Sequence, residues 1–124
     1  MGEGVILGAI AGDIIGSIYE FNSTKNYDFL LFSDSSTYTD DTVMTVANAD
    51  WLVTSDPLKG IMLDFGNRYT TSYGGRFFGW LLSENPQPYN SWGNGSAMRV
   101  SPIGWAFDTL EETLEAAKQS AEVT

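Results

Sequence analysis

The chain has 124 residues, the length of one domain, and 43% of them are apolar and 14% aromatic, which is enough for a hydrophobic core. Sixteen acidic residues against six basic ones give a net charge of −10, so a nucleic-acid partner is disfavoured because its phosphates would be repelled. Cysteine and histidine are absent, which excludes disulfides, thiolate or imidazole metal sites and a cysteine nucleophile. Any chemistry must therefore use carboxylates, hydroxyls, amides or a bound hard cation.

The first apolar run, residues 5–18, has neither the features of a signal peptide nor those of a membrane span. Glu3 lies where a signal peptide carries positive charge, and Asp13 interrupts the run well short of the roughly 20 residues that a span needs. We therefore expect a cytoplasmic protein with no membrane partner.

Residues 4–21 are predicted to form the first helix, in which glycine recurs at every fourth position. Such a stripe makes a groove that another backbone can approach closely, although each glycine costs a helix about 1 kcal/mol relative to alanine. We therefore expect another helix to lie in the groove wherever the fold is complete. The glycines are Gly4, Gly8, Gly12 and Gly16.

The same helix has an apolar stripe and a polar one. The polar stripe consists of Asp13, Ser17 and Glu20, which are spaced to share one face. Two interpretations stand: a solvated face, or a buried face that looks into a site. The apolar stripe is formed by Leu7, Ile10, Ile14 and Ile18.

Residues 22–38 lack sustained periodicity and predict a long loop, with the Phe-Leu-Leu-Phe run at 29–32 turned inward. Loops of this length often have a function. The loop leads directly into the next motif.

Two carboxylates and two hydroxyls occupy the consecutive positions Thr39, Asp40, Asp41 and Thr42. Oxygen ligands of this kind suit Mg²⁺, Mn²⁺ or Ca²⁺, and adjacent ionised aspartates need such compensation when they are buried. The alternative is a helix start, with Thr39 as N-cap and the aspartates in the first turn. On these residues alone the capping interpretation is favoured, and the two are compatible. A second helix would follow to residue 53.

The rest of the chain also predicts helices. A third helix starts with Asp56 as N-cap and Pro57 at its first position and continues to Tyr69. After a turn at 70–75 come a short helix at 77–82, a loop at 84–95 and a helix at 98–107 that Pro102 bends or restarts.

The last helix has a capping box made by Thr109 and Glu112. Its predicted apolar stripe is Leu110, Leu114, Ala117 and Ala121. Since no convincing alternating strand occurs, the predicted class is all-α. The chain stops after this helix without a C-cap glycine, which leads us to expect that it ends before its fold does.

Several stretches together resemble the ADP-ribosylglycohydrolase family of helical hydrolases, which includes the enzyme that releases ADP-ribose from dinitrogenase reductase. Four motifs occur in the family's order across essentially the whole chain. They are Gly8 to Phe21, Phe32-Ser33 leading to Thr39-Asp40-Asp41-Thr42, Ser72-Tyr73-Gly74-Gly75-Arg76, and Gly93 to Arg99 with Ser101-Pro102-Ile103-Gly104. The resemblance implies that residues 1–124 are the N-terminal part of one truncated domain.

The resemblance also implies a site. In the family two Mg²⁺ or Mn²⁺ ions bridge the site, and Thr39, Asp40 and Asp41 match one half of their ligands. Glu20 matches the glutamate beside the metals, so Glu20 and Asp41 are the expected catalytic carboxylates. The loop that holds phosphates and ribose matches Gly93, Asn94, Gly95, Ser96 and Met98. Glycines there let backbone amides approach an anion.

The function so implied is hydrolysis of the glycosidic bond between ADP-ribose and a protein side chain or small acceptor. Two alternatives remain: a module that binds ADP-ribose without cleaving it, and a crystallin-like structural protein. Because the glycine groove needs a partner, we expect exposed apolar surface, self-association or molten packing, and little activity from this chain alone.

Overall fold

A computed structural model of the protein describes residues 4–124, and within them every regular element is helical, which confirms the all-α class. None of the helices in this range is long and apolar enough to cross a membrane. The helices are α1 (Leu7–Gly16), α2 (Asp40–Thr54), α3 (Leu58–Arg68), α4 (Gly75–Leu81), α5 (Gly95–Met98) and α6 (Leu110–Ala121). Short 3₁₀ turns follow α1, at Ser17–Tyr19, and precede α6, at Ile103–Trp105.

The core forms where α2 packs against α3, with α4 closing one side. Helix α2 is central because it buries one face in this core and also contacts α1 and α5. Its first residue, Asp40, is therefore held between α1 and the α5 loop. The core side chains are Val43, Met44, Ala47, Leu58, Ile61, Met62, Trp80 and Leu81.

Helix α1 is shorter than predicted. It begins at Leu7, because Gly4 has a φ of 91° that a helix does not permit, and after Gly16 the chain tightens into the 3₁₀ turn. A Cβ added at Gly8, Gly12 or Gly16 would meet no atom within 4 Å, so nothing in the described part of the chain lies in the glycine groove. The expectation of exposed apolar surface is confirmed here.

The prediction that residues 29–32 turn inward is wrong. Leu30, Leu31 and Phe32 are 74%, 55% and 59% exposed. Phe29 packs edge-on against Tyr19 with ring centroids 5.4 Å apart. That contact is to the 3₁₀ turn after α1, away from the core that the described residues form on α2, α3 and α4.

The predicted boundaries of α3 and α4 are wrong by one or two residues. Pro57, not Asp56, is the N-cap of α3: its extended ψ of 118° keeps it outside the helix, and its carbonyl accepts the N–H groups of Gly60 and Ile61. Helix α3 ends at Arg68, and α4 already begins at Gly75.

Residues 98–107 do not form one helix, and of the two predicted effects of Pro102 the restart is the correct one. Helix α5 already begins at Gly95 and ends at Met98, and the chain restarts as the 3₁₀ turn Ile103–Trp105, with Pro102 as its N-cap.

Helix α6 has the predicted cap but buries a different face. The Thr109 hydroxyl accepts from the Glu112 N–H at 3.2 Å, which confirms the N-terminal signal. Leu110 and Leu114, however, are 73% and 59% exposed, whereas Ala116 and Ser120 are buried. The helix turns this way because small residues allow close approach and the Ser120 hydroxyl donates to buried Asn48 at 2.7 Å.

Gly66 offers a test of the packing between α3 and α4. A Cβ at this buried position would overlap the side chain of Leu81, which is itself buried. We expect Gly66→Ala to lower the free energy of unfolding by about 1–2 kcal/mol, since overpacking exceeds the gain in helix propensity. Gly60→Ala is the control, because Gly60 is exposed and has open space around it, and it should stabilise by about 0.5–1 kcal/mol. Urea unfolding measures both, and a Gly66→Ala variant as stable as Gly60→Ala would contradict this packing.

Candidate functional site

The carboxylate of Asp13, on α1, holds the start of α2. Its Oδ2 accepts from the backbone N–H of Thr39 at 2.8 Å and from that of Thr42 at 3.2 Å. The hydroxyls of the same two threonines donate to the carboxylate, each at 2.6 Å. Hydrogen bonds to an ionised acceptor are short and roughly twice as strong as neutral ones. Asp13 therefore satisfies part of the helix N-terminus from outside the helix.

Ser17 continues this connection one turn further along α1. Its hydroxyl accepts from the Thr37 N–H at 3.1 Å and donates to the Ile14 carbonyl at 2.8 Å. The inward interpretation of the polar stripe is thus correct for Asp13 and Ser17, whereas Glu20 is exposed. The helical spacing predicted Asp13 on this stripe, but it did not predict that the Asp13 carboxylate would bind the residues at the start of α2.

Thr39 is the N-cap of α2, as the capping interpretation predicted. Its hydroxyl accepts from the Asp41 N–H at 3.3 Å while donating to Asp13. The side chain is buried, with 9% of its surface exposed. Since a hydroxyl oxygen has two lone pairs, one of them stays available after the cap is made.

Asp40 and Asp41 lie in an environment that disfavours their ionised forms. Burial raises the pKa of Asp40 first of all, and the charges of Glu20 and Asp13 raise it further. The pKa of Asp41 is raised by burial and then by the charges of Asp13 and Asp40. A carboxyl group with a raised pKa destabilises the fold increasingly as pH rises from the unfolded value, 3.8, through the folded one.

No lysine or arginine compensates these carboxylates within residues 4–124. The ion pairs there are Arg68 with Asp64 and Lys118 with Glu122, all at exposed positions. A bound cation would relieve the repulsion. Across the same residues, however, no three carboxylates converge closely enough to hold a metal by themselves. The cluster therefore fits part of a cation site.

Asp40 shares a cleft of about 280 Å³ with the glycine-rich loop before α5. Of the five residues predicted to bind the ligand, Gly93, Asn94, Gly95 and Met98 line this cleft. The other lining residues are Met44, Gly74, Gly75, Arg76, Phe77, Tyr89, Ser91, Trp92, Arg99 and Thr124.

The remaining predicted site residues lie beside this cleft rather than on it. Ser96 lines a neighbouring hollow with Glu122 and Thr124. Glu20 and Thr39 line an adjacent cavity of about 380 Å³ that is rich in hydroxyl groups. Asp41 is half-buried next to Asp40 and lines neither cavity. Asp40 thus lies beside the loop, whereas Glu20 lies with Thr39 on the adjacent cavity.

Arg99 supports the loop from behind. Its guanidinium is 1% exposed and donates to the Ser120 carbonyl, to the Ser120 hydroxyl at 3.3 Å and to the Thr124 hydroxyl at 3.3 Å. The Thr124 carbonyl in turn accepts the N–H groups of Tyr89 and Ser91, at 2.9 and 3.3 Å. These contacts fix the residues that lead into the loop.

Sequence reasoning included Arg99 and Arg76 in motifs but gave neither a role. A signal was present, because two of the chain's six basic residues belong to its glycine-rich motifs: Arg76 directly follows Gly74-Gly75, and Arg99 comes four positions after Gly95.

Removing the Asp13 carboxylate tests its role as the link between α1 and α2. We expect Asp13→Ala to lower the free energy of unfolding by about 3 kcal/mol, since it leaves two N–H and two hydroxyl groups without their acceptor. Ser17→Ala removes one such contact, to Thr37, and should cost about 1 kcal/mol. Urea unfolding of both variants provides the measurement. If both variants lose the same free energy of unfolding, the four contacts of Asp13 stabilise the fold no more than the single contact of Ser17.

Comparison with known proteins identifies the family of the chain. The family model described as ADP-ribosylglycohydrolase matches residues 2–124. ADP-ribosylhydrolase ARH3 of Xenopus tropicalis is 28% identical, over 98% of this chain and 44% of its own length, and mouse ADP-ribosylhydrolase ARH3 is 25% identical, over 98% and 43%. The chain thus spans less than half the length of these relatives, and no solved structure matches it significantly. The match to the family model shows that the chain belongs to the ADP-ribosylglycohydrolase family.

Proposed function

We propose that this chain provides the ADP-ribose-binding loop and part of the metal site of a hydrolase that cleaves the glycosidic bond between ADP-ribose and a protein side chain or small acceptor. The observation that supports this most is the shared cleft, in which the carboxylate of Asp40 faces the loop at Gly93, Asn94 and Gly95. A phosphate-holding loop next to a metal-ligand carboxylate is what cleavage of a nucleotide-linked sugar requires.

Thr39, Asp40 and Asp41 are the residues that would hold Mg²⁺ or Mn²⁺. They fit such an ion because all offer oxygen atoms and because the pKa of both carboxyl groups is raised, first by burial and then by nearby charges, those of Glu20 and Asp13 for Asp40 and those of Asp13 and Asp40 for Asp41. A bound ion would polarise the anomeric centre and orient the ribose hydroxyls. The family site has two ions, so the remaining ligands must come from outside these residues.

Glu20 is proposed as the base. It lies close enough to Asp40 for its charge to raise the pKa of that carboxyl group. In the proposed step Glu20 takes a proton from a water molecule, the oxygen of that water bonds to the anomeric carbon of the ribose, and the bond between that carbon and the acceptor breaks. The proton that Glu20 has taken passes to the acceptor as it leaves. Asp41 would act beside it as the second carboxylate of the metal site.

The loop from Gly93 to Met98 is proposed to hold the diphosphate and the adjoining ribose. Gly93 and Gly95 present backbone without side chains to the cleft, so a charged ligand can come within hydrogen-bond distance of the amides. The Asn94 carbonyl begins α5 by accepting from Ala97 and Met98, both at 2.9 Å. The N–H groups that precede these two remain free for a ligand.

A second candidate function is binding without cleavage. It is favoured by the observation that residues 4–124 bring no three carboxylates together around a metal. Under this hypothesis the chain would bind ADP-ribose at the loop, and adding Mn²⁺ would change neither the affinity nor the integrity of the ligand.

The metal assignment is tested by calorimetry with Mn²⁺. We expect the double variant Asp40→Asn, Asp41→Asn to bind Mn²⁺ at least about tenfold more weakly, because the carboxylate ligands are lost. Glu111→Gln with Glu112→Gln is a matched control, since these too are adjacent acids in a first turn that follows a threonine N-cap. If both double variants bind Mn²⁺ equally well, Asp40 and Asp41 only form a helix start and are not metal ligands.

The loop assignment is tested with a side chain at Gly95. A Cβ there meets Arg99 Nη1 at 3.7 Å, an ordinary contact, so Gly95→Val should fold. We expect its affinity for ADP-ribose to fall at least about tenfold, because the side chain occupies the cleft. Gly104→Val is the control at an exposed glycine with open space and outside the cleft. If Gly95→Val binds ADP-ribose as tightly as the wild type does, the loop is not part of the binding site.

A further inference from the structure

The cleft beside Asp40 also has two arginines on its wall, Arg76 and Arg99. The chain has six lysines and arginines in all and a net charge of −10. Two of its few cations therefore lie on one cleft of about 280 Å³ in an otherwise acidic protein. Neither forms an ion pair with a carboxylate in the part of the chain that the structure describes.

Arg99 is the more unusual of the two because it is almost completely buried. Its three hydrogen bonds all go to neutral oxygens, of Ser120 and Thr124. Burial lowers its pKa to about 10, so it remains charged at neutral pH. Its Nη1 lies 3.7 Å from the position that a Cβ on Gly95 would take. A positive charge thus lies directly behind the glycine loop, where a buried charge needs a counterion.

Arg76 also lines the cleft and is exposed. Its guanidinium stacks over the ring of Tyr89, 4.9 Å from the centroid, and its Nη2 donates to the Tyr89 carbonyl at 3.0 Å. These contacts restrict the orientation of the guanidinium and still leave donors free. An arginine oriented in advance loses less entropy when it binds a planar or tetrahedral anion.

We propose that Arg76 and Arg99 make this cleft selective for the diphosphate of its nucleotide ligand, Arg76 by direct contact with a phosphate oxygen and Arg99 by its charge behind Gly95. This inference rests on the proposed function, since it concerns the same cleft. It explains how a chain with a net charge of −10 attracts a ligand that has two negative charges.

A purely structural role for the two arginines makes a different prediction. If they only held the loop in shape, their loss would weaken every ligand of the cleft alike and would leave the salt dependence of binding unchanged. If they recognise the diphosphate, the loss is confined to charged ligands, and the decline of affinity with added salt becomes shallower.

The experiment measures the affinities of ADP-ribose, inorganic pyrophosphate and adenosine for the whole chain by calorimetry, at several NaCl concentrations. For Arg76→Gln we expect ADP-ribose and pyrophosphate to bind at least about tenfold more weakly and adenosine to change less than about twofold. Arg76→Lys should recover part of the loss. Arg68→Gln is the control, because Arg68 is an exposed arginine on α3 that pairs with Asp64 away from the cleft.

Arg99→Lys and Arg99→Met are compared in the same way, and Lys, which keeps the charge, should bind pyrophosphate more tightly than Met. If the Met variant loses its near-UV circular dichroism, the exposed Arg76 variants alone decide the question. Wild-type affinity for pyrophosphate and ADP-ribose in Arg76→Gln would overturn the inference while leaving the proposed function intact. Pyrophosphate binding that depends on Arg76, without binding of ADP-ribose, would support the inference and overturn the proposed function. A wild-type chain that binds none of the three ligands would overturn both.

Discussion

The bond network between the Asp13 carboxylate and two threonines is the interaction on which the rest of the site depends. Asp13 lies on α1, a helix whose residues are at most partly buried. Four hydrogen bonds to Thr39 and Thr42 tie this helix to the start of α2, the central helix of the core. The position of Asp40 relative to both Glu20 and the glycine loop follows from this connection.

The charges of the protein are unevenly distributed, and that unevenness defines the site. Asp13, Glu20, Asp40 and Asp41 are close enough to disfavour ionisation of the two central carboxylates. Such strain is often found at functional sites, where a cation or a substrate relieves it. Arg99, on the same cleft, is a buried cation whose hydrogen bonds go to neutral oxygens, so its charge has no counterion within residues 4–124. A metal ion at the carboxylates and a diphosphate at Arg99 would neutralise the two groups of charges.

The sequence predicts those features that depend on short-range chemistry. The caps at Thr39 and Thr109 are confirmed because capping requires a hydroxyl at one position and an N–H two or three residues later. The meeting of Asp40 with the loop at Gly93 was predicted through the family resemblance rather than from spacing, because the two segments are far apart along the chain.

Features that depend on tertiary contacts escaped prediction. The buried face of α6 is set by Asn48 and Arg99, which draw Ser120 inward, and no periodicity within α6 reveals those partners. The inward-facing run at 29–32 was inferred from hydrophobicity alone, which states a preference for burial but cannot say whether a core lies beneath.

Asp13 on α1 binds the start of α2, and Asp40 there shares a cleft with the glycine loop, so under the proposed function a cation site would adjoin an anion site. Paramagnetic broadening by Mn²⁺ in the amide spectrum of the chain measures whether the two are neighbours. As Mn²⁺ is added in substoichiometric amounts, we expect the signals of Glu20, Asp41 and the loop at Gly93 and Gly95 to weaken first. Earliest weakening at Glu111 and Glu112, the other adjacent pair of acids in a helix first turn, would contradict it.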